Sequence, residues 1–431
     1  MNILYVQPGS GGSFYCQNCL RDLALAEALR RRGHRVTAMP LYLPATALTP
    51  EPADVPVFYG AVTLYLRHRY AWLRRLPRAW FRPLDRWPVL RLAARFAGST
   101  SAAGLEDLTL SMLRGLHGRQ ADELRQVAEW LAALPAGAKP DVIVLSNALL
   151  TGLAPALKEA ARCPVVCWLQ DEHVWLDAMA PDLRGPVLEV LAEDARAVDR
   201  FVAVSAYYAA QLSKPLSVEA ARIGVVFPGL DPAAYRPADL SRRPLTVGFL
   251  SRLSPAEGFD RAVDAFLLLR RDPRFAGVRL AATGGPPAER GFLKRQLRKL
   301  AGAGLAGDAE ISTRRFERDR FGFLSELSLL SAPGSEHEAF GYAVIEAMAA
   351  GVPVVLSARG AFPEIADAAR CGTLTADDRP ETLARAWAEL LGAPEHRQRE
   401  AEAGRATARS VFSQDASAAA FERVLESARG G

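Results

Sequence analysis

The apolar positions of this chain fall into short unbroken runs and longer stretches with helical spacing, and the two kinds alternate from the first residues onward. Residues 2–7 read as a strand, the loop Pro8-Gly9-Ser10-Gly11-Gly12-Ser13 follows, and residues 20–32 carry apolar positions at helical spacing up to Gly33. A second strand at 36–41 completes a βαβ unit of the doubly wound kind. The rhythm resumes with a helix at 123–134, a strand at 142–145 opened by Pro140-Asp141 and ending in Ser146-Asn147, and strands at 164–169, 199–205 and 223–231. Residues 232–244, rich in Pro, Ala and charge, read as a linker. The pattern then restarts with a strand at 245–250, a loop and helix, a strand at 278–283 running into Gly284-Gly285, a helix up to Gly351, and a strand at 354–356. Two helices, at 380–391 and 413–428, finish the chain. The expected fold class is α/β with two Rossmann-like doubly wound domains, at 1–231 and 245–411, and a terminal helix at 412–431.

Length and composition agree with that division. A chain of 431 residues, 50% of them hydrophobic, has material for about two to three domains. It holds no uncharged apolar run of about 18 residues, and its first residues enter a strand rather than a basic and apolar leader, so a cytoplasmic protein is expected. Five cysteines, an odd number in a long chain, argue for a reducing compartment over a disulfide framework. Cys16 and Cys19 form a C-x-x-C at the start of the first helix, where packing, redox and metal roles all stay open. Cys163 and Cys167 flank a strand expected to be buried and read as core.

Charge changes the picture at one place. Residues 67–95 hold nine arginines and one acid, Asp85, a local net charge of +8 inside a chain whose total is +5. Tyr70, Trp72, Trp80, Phe81 and Trp87 are interleaved with these arginines, and Pro77, Pro83 and Pro88 break the stretch into short amphipathic pieces. Such a surface suits an anionic membrane or an acidic acceptor; a helical insertion at about 60–135 with solvated arginines is the other reading. The rest of the chain is net acidic and no nucleic-acid motif accompanies the patch, so no nucleic-acid partner is expected.

The candidate chemistry concentrates in SAPGSEHEAFGYAVIEAMAAGVP, residues 331–353. A helix beginning near Gly341 or Tyr342 and closed by Gly351 and Pro353 sets Glu338 in the loop before it and Glu346 in its second turn. At the helix mouth, backbone N–H groups and the positive end of the dipole favour a phosphate, and Gly341 lets the chain approach it closely. Two carboxylates at that spacing suit a ligand with two ends.

E-A-F-G-x-x-x-x-E-A-M-A-A-G-V-P-V-V resembles the signature of retaining glycosyltransferase family 4, of the GT-B fold. The resemblance covers essentially the whole chain, specific in the second half and diffuse between residues 45 and 135. It implies two domains facing a cleft, the first on the acceptor side and the second binding a nucleotide-sugar, with the terminal helix crossing back onto the first. By this resemblance Glu346 binds the ribose hydroxyls, Glu338 a hydroxyl of the donor sugar, and the amides of Gly341, Tyr342 and Ala343, after Phe340, the diphosphate. Gly12 and Gly284 lie in loops that approach the donor closely, and His173, after Gln170-Asp171-Glu172, resembles a cleft histidine that contacts the donor sugar. Arg252 matches a diphosphate-binding arginine, whereas Glu257 stands where the family has a lysine and Pro228 where it has an asparagine. A carboxylate at 257 would repel a diphosphate, and the expectation is that it points away while Arg252 carries the phosphate alone. The basic helix with Lys294, Arg295, Arg298 and Lys299 reads as a solvated face.

The implied activity is sugar transfer with retention from a nucleotide diphosphate-sugar to an acceptor hydroxyl on a glycan or lipid, with Glu338, His173 and Arg252 nearest the chemistry. No metal and no cofactor beyond the donor co-substrate is expected, and a place at the inner membrane through residues 67–95 is a candidate. A nucleotide-sugar epimerase needs the same donor site without an acceptor surface, and a non-catalytic nucleotide-sugar-binding protein is suggested by Glu257; both readings stay open.

Overall fold

The computed structural model describes residues 1–8, 17–41, 80, 89, 106–285, 289, 291–334 and 337–430. They form two units, one of 1–226 with 418–431 and one of 227–417. The basic stretch at 67–95, Gly12 and Cys16 lie outside the described residues, apart from Trp80 and Val89.

The first unit is built on a parallel sheet of β1 (Asn2–Gln7), β2 (Arg35–Pro40), β3 (Val142–Leu145), β4 (Val165–Leu169), β5 (Arg200–Ala203) and β6 (Ile223–Val225), in the order β2-β1-β3-β4-β5-β6. Strand β4, Val-Val-Cys-Trp-Leu, is buried at every position, as a central strand covered on both faces must be. The helix Gln17–Arg31 connects β1 to β2 and Gly33, at φ 89°, closes it. The final helix, Gln414–Gly430, carries Phe421 to 5.2 Å from the Trp168 ring, and its Glu422 receives Arg32 and, at 2.8 Å, His34 Nε2. Residues 418–430 thus complete the first unit's core although the whole second unit, 227–417, separates them from β6 and its exit; the apolar spacing Ala418, Phe421, Leu425 supplies the buried stripe.

The second unit repeats the plan with β7 (Thr246–Leu250), β8 (Arg279–Thr283), β9 (Ala309–Ser312), β10 (Leu329–Ala332), β11 (Val354–Ser357) and β12 (Thr373–Thr375), all parallel, in the order β12-β11-β10-β7-β8-β9. The order reverses between β7 and β10, so the exits of these two neighbours lead to opposite faces of the sheet, the place where open α/β sheets bind ligands. The helices Phe259–Leu269 and Pro380–Gly392 bury Phe259, Phe266, Leu383, Trp387 and Leu390 with Val247, Phe249 and Leu280 of the sheet. Each such side chain contributes about 1.5–3 kcal/mol of transfer free energy.

Three helices end the chain, not the two expected. The additional one, Pro394–Ser410, is so polar that its periodicity is hidden: it buries Arg397, Ala401, Gly404 and Ala408, a narrow stripe of mostly small residues. Gly404 brings it against Met348, where a Cβ would lie 3.3 Å from that side chain. Among the described residues no helix is long and apolar enough to cross a membrane.

Candidate functional site

The exit of β10 and the helix after it hold most of the residues singled out in the sequence. The helix Tyr342–Ala349 is buried on all sides, and Gly341 opens it at φ 84°, ψ 62°, a left-handed conformation with no side-chain cap. A Cβ on Gly341 would stand 2.4 Å from Phe362 Cε1, and one on Gly334, also left-handed, 2.5 Å from Phe362 Cε2. One aromatic ring therefore fills the space between two glycines of the same loop, so close packing by itself calls for a glycine at 341. Glu338 is 8% exposed; its carbonyl accepts from the Ala361 amide at 2.9 Å, tying the β10 exit to the β11 exit. Phe340 lies fully buried with the rings of Phe227 and Phe412 at 5.8 and 6.1 Å, an anchor that sets the loop's path. Tyr342 donates its hydroxyl to Gly229 O at 3.1 Å, and Ala343 follows in the first turn.

Glu346, in the second turn, is fully buried. Tyr235 donates its hydroxyl to Glu346 Oε1 at 2.7 Å, and Arg320 Nε forms an ion pair with the same oxygen at 2.9 Å. Burial first, and the Glu346 charge second, push the Tyr235 hydroxyl well above its ordinary pKa, so it stays a donor. Phe321 stands edge-on to Tyr235 at 5.0 Å and under the Arg320 guanidinium at 4.9 Å. A buried carboxylate costs several kcal/mol unless paired, roughly the reason two partners converge on it here. Neither Tyr235 nor Arg320 stands out in the sequence; a tyrosine inside the expected linker and one arginine in the run RRFERDR carry no motif.

The β7 and β8 exits meet beside this loop. Gly284 has φ 143°, and a Cβ there would lie 2.1 Å from Ser251 O. Gly258, at φ 80°, opens the helix Phe259–Leu269 and touches Pro333 of the β10 exit. Arg252 Nη2 lies 3.4 Å from Glu257 Oε1, and Ser251 Oγ donates to Glu257 Oε2 at 3.0 Å. Glu257 thus turns towards Arg252, the residue expected to carry the diphosphate alone. Arg261 links the loops further, donating to Pro255 O at 3.3 Å and Gly334 O at 3.2 Å while pairing with Asp378 at 2.6 Å; Arg359 takes the other Asp378 oxygen at 3.0 Å. Arg252, Gly284, Glu338, Phe340, Gly341, Tyr342, Ala343 and Glu346 are thereby all carried by the β7, β8 and β10 exits and the helix that β10 feeds.

His173 belongs to the first unit, in the first turn of the helix Glu172–Asp177 at the β4 exit. Beside it Glu172 is 2% exposed and joins three strand exits: Ala148 N from the β3 exit donates to Oε1 at 2.8 Å, and Tyr208, two residues into the helix after β5, donates to Oε2 at 2.8 Å. Burial raises the Glu172 carboxyl to about 6 even though those hydrogen bonds lower it. The Tyr208 oxygen accepts from the His173 amide at 3.3 Å and lies 3.3 Å from His173 Nδ1. Next to this group Arg21, with no exposed side-chain surface, pairs with Asp171 at 3.1 Å, and Gln170 donates to Asp22 at 2.8 Å.

Among the described residues Cys19, Cys163, Cys167 and Cys371 are buried, and burial pushes the thiols of Cys163 and Cys371 up to about 12. Among the described residues no three His, Cys, Asp or Glu side chains gather as a metal site would require.

Residues 235–407, nearly all of the second unit, match the family described as glycosyl transferases group 1. D-inositol 3-phosphate glycosyltransferase of Streptomyces scabiei is 31% identical over 264 residues, 57% of this chain and 58% of that protein. The enzyme of that name from Mycobacteroides abscessus is 31% identical over 225 residues, 50% of this chain and 48% of that one. The chain spans about half the length of the curated relatives it matches. Among solved structures, Anabaena HepE in complex with UDP superposes with a TM-score of 0.67 at 19% identity, covering 99% of this chain and 100% of that one. Sucrose-phosphate synthase from Thermosynechococcus elongatus superposes with 0.69 at 17% identity, over 99% and 98%. At these identities the likeness is one of fold, and the fold is GT-B: two Rossmann-like units, each on a parallel six-stranded sheet.

Proposed function

We propose that this protein is a retaining glycosyltransferase of family 4, moving a sugar from a nucleotide diphosphate-sugar to an acceptor hydroxyl. One observation carries the reading: the β7 and β10 exits, at the reversal of strand order, bring together Arg252, Glu338 and the glycine-opened mouth of the helix that bears Glu346. Such a mouth favours a diphosphate, and a carboxylate one turn farther in suits a ribose. In this proposal Arg252 and the first amides of the helix stabilise the departing diphosphate without a metal ion, Glu338 and His173 hold the donor sugar, and the acceptor is presented on the face the leaving group vacates. The match of residues 235–407 to a glycosyltransferase family supports the donor half of this reading. Incubation with nucleotide-sugars and a panel of glycan and lipid acceptors tests it. Neither transfer nor donor hydrolysis at any pH would count against it, an isomerised donor would select an epimerase, and binding without turnover a carrier.

The acceptor side extends to a membrane surface in this proposal, on the strength of sequence alone. Nine arginines between residues 67 and 95 would contribute about 1 kcal/mol each near an anionic leaflet, so three or four in contact suffice for attachment. Cosedimentation should require anionic vesicles, weaken with salt, and vanish when Arg74, Arg75 and Arg78 become Ser. Equal sedimentation with neutral vesicles would exclude this attachment.

A further inference from the structure

The Glu172, Tyr208 and His173 group has a hydrogen-bond direction that follows from counting protons. Tyr208 carries one, and an ionised carboxylate can only accept. At 2.8 Å from Glu172 Oε2 the tyrosine proton must point to Glu172, so towards His173 its oxygen can only accept. It does so from the His173 amide, and the ring atom it faces, Nδ1 at 3.3 Å, must then carry a hydrogen. The neutral imidazole is left with its hydrogen on Nδ1 and off Nε2, a tautomer assigned here by its partners. We propose that Glu172, acting through Tyr208, is a positioning residue that holds His173 with Nε2 as a hydrogen-bond acceptor, so that the residue recognises a hydroxyl.

The surroundings favour a fixed direction over a freely exchanging one. Glu172 and Tyr208 are 2% and 1% exposed, Glu172 Oε1 is already bound by Ala148 N, and Ser205 Oγ accepts from the Tyr208 amide at 3.0 Å. Three adjacent strand exits, after β3, β4 and β5, therefore meet on one carboxylate, and neither partner can turn without breaking a buried hydrogen bond. That the hydroxyl belongs to a donor sugar rests on the function proposed above; the tautomer does not.

Nitrogen-15 spectra of histidine-labelled protein near pH 8.5 test it, with the His173 signal, one of six, identified by its loss in His173→Gln. The expected spectrum has the hydrogen on Nδ1. Glu172→Gln keeps the shape, but its amide oxygen stays with Ala148 N and its NH2 donates to Tyr208, which frees the tyrosine proton for Nδ1; the hydrogen should move to Nε2. In active protein the same variant should lower kcat about tenfold, the worth of one misdirected hydrogen bond, with KM for donor changing less. A wild-type His173 with its hydrogen on Nε2, or a Glu172→Gln variant that leaves it on Nδ1, would overturn the proposal. If that variant does not fold, the wild-type spectrum alone decides. Because the spectrum needs no donor, a wrong tautomer and a wrong function are told apart.

Discussion

Glu257 holds Arg252: its carboxylate lies 3.4 Å from the guanidinium and is steadied by Ser251 Oγ at 3.0 Å. A diphosphate reaching Arg252 must compete with that carboxylate. Arg252 is a third exposed, so solvent screens the pair and its contribution stays at or below about 1 kcal/mol. Glu257→Gln should therefore tighten nucleoside diphosphate binding by roughly two- to fivefold in calorimetry, whereas Arg252→Ala should weaken it more than Glu257→Ala changes it. Weaker binding by Glu257→Gln would mean that the carboxylate helps to bind the ligand, through a cation or a sugar hydroxyl.

Glu346 has its own prediction, because Tyr235 and Arg320 already fix its carboxylate. Glu346→Gln keeps the volume and removes the charge, and nucleotide affinity should fall by about 1.5 to 3 kcal/mol. Tyr235→Phe leaves the charge but frees its direction, and a loss of about 1 kcal/mol is expected. Thermal unfolding without nucleotide separates a lost ligand contact from lost stability. Unchanged affinity in Glu346→Gln would overturn the proposed ribose contact of this residue.

The sequence carried the doubly wound plan, β7, β8 and β11 of the second sheet and the helix from Tyr342, because buried parallel strands are nearly continuous apolar runs and the glycines mark their exits; it did not mark β9, β10 and β12 or the order of the strands. Polar partners were illegible for a physical reason. Tyr235 lies 111 residues from Glu346, and Tyr208 lies 36 residues from Glu172, so topology rather than local pattern brings them together. Glu172 was visible as part of the polar run Gln170-Asp171-Glu172-His173 at a strand end, but that Gln170 and Glu172 are its buried members depends on how the helix starts, and Asp171 at φ 58° sets that. Pro394–Ser410 escaped because small residues, not large apolar ones, form its buried stripe.

Gly341 offers a test of packing against ligand approach. Gly341→Ala at φ 84° should cost about 1–3 kcal/mol in backbone strain, before the contact its Cβ would make with Phe362. If that ring is the obstacle, Phe362→Leu should recover part of the loss, a coupling of about 0.5 kcal/mol or more in a double-mutant cycle of urea unfolding. Strict additivity would show that strain alone makes the glycine necessary.

Glu172 makes stability depend on pH in a direction opposite to that of a salt-bridged carboxylate. Its folded pKa is raised to about 6 from an ordinary 4.5, chiefly by burial, so between these values the folded chain keeps a proton that the unfolded chain has released. Stability from this group is complete below pH about 4.5, falls as pH rises through 6, and is level above. The full difference is about 2 kcal/mol. Glu172→Gln cannot titrate, and it shares every other ionisable group with the wild type. The wild type minus variant difference in unfolding free energy should therefore drop by about 2 kcal/mol between pH 4 and pH 7.5, as measured by urea denaturation across that range. A flat difference would mean that the Ala148 and Tyr208 hydrogen bonds offset the cost of burial in full, and a rise with pH would mean that they exceed it.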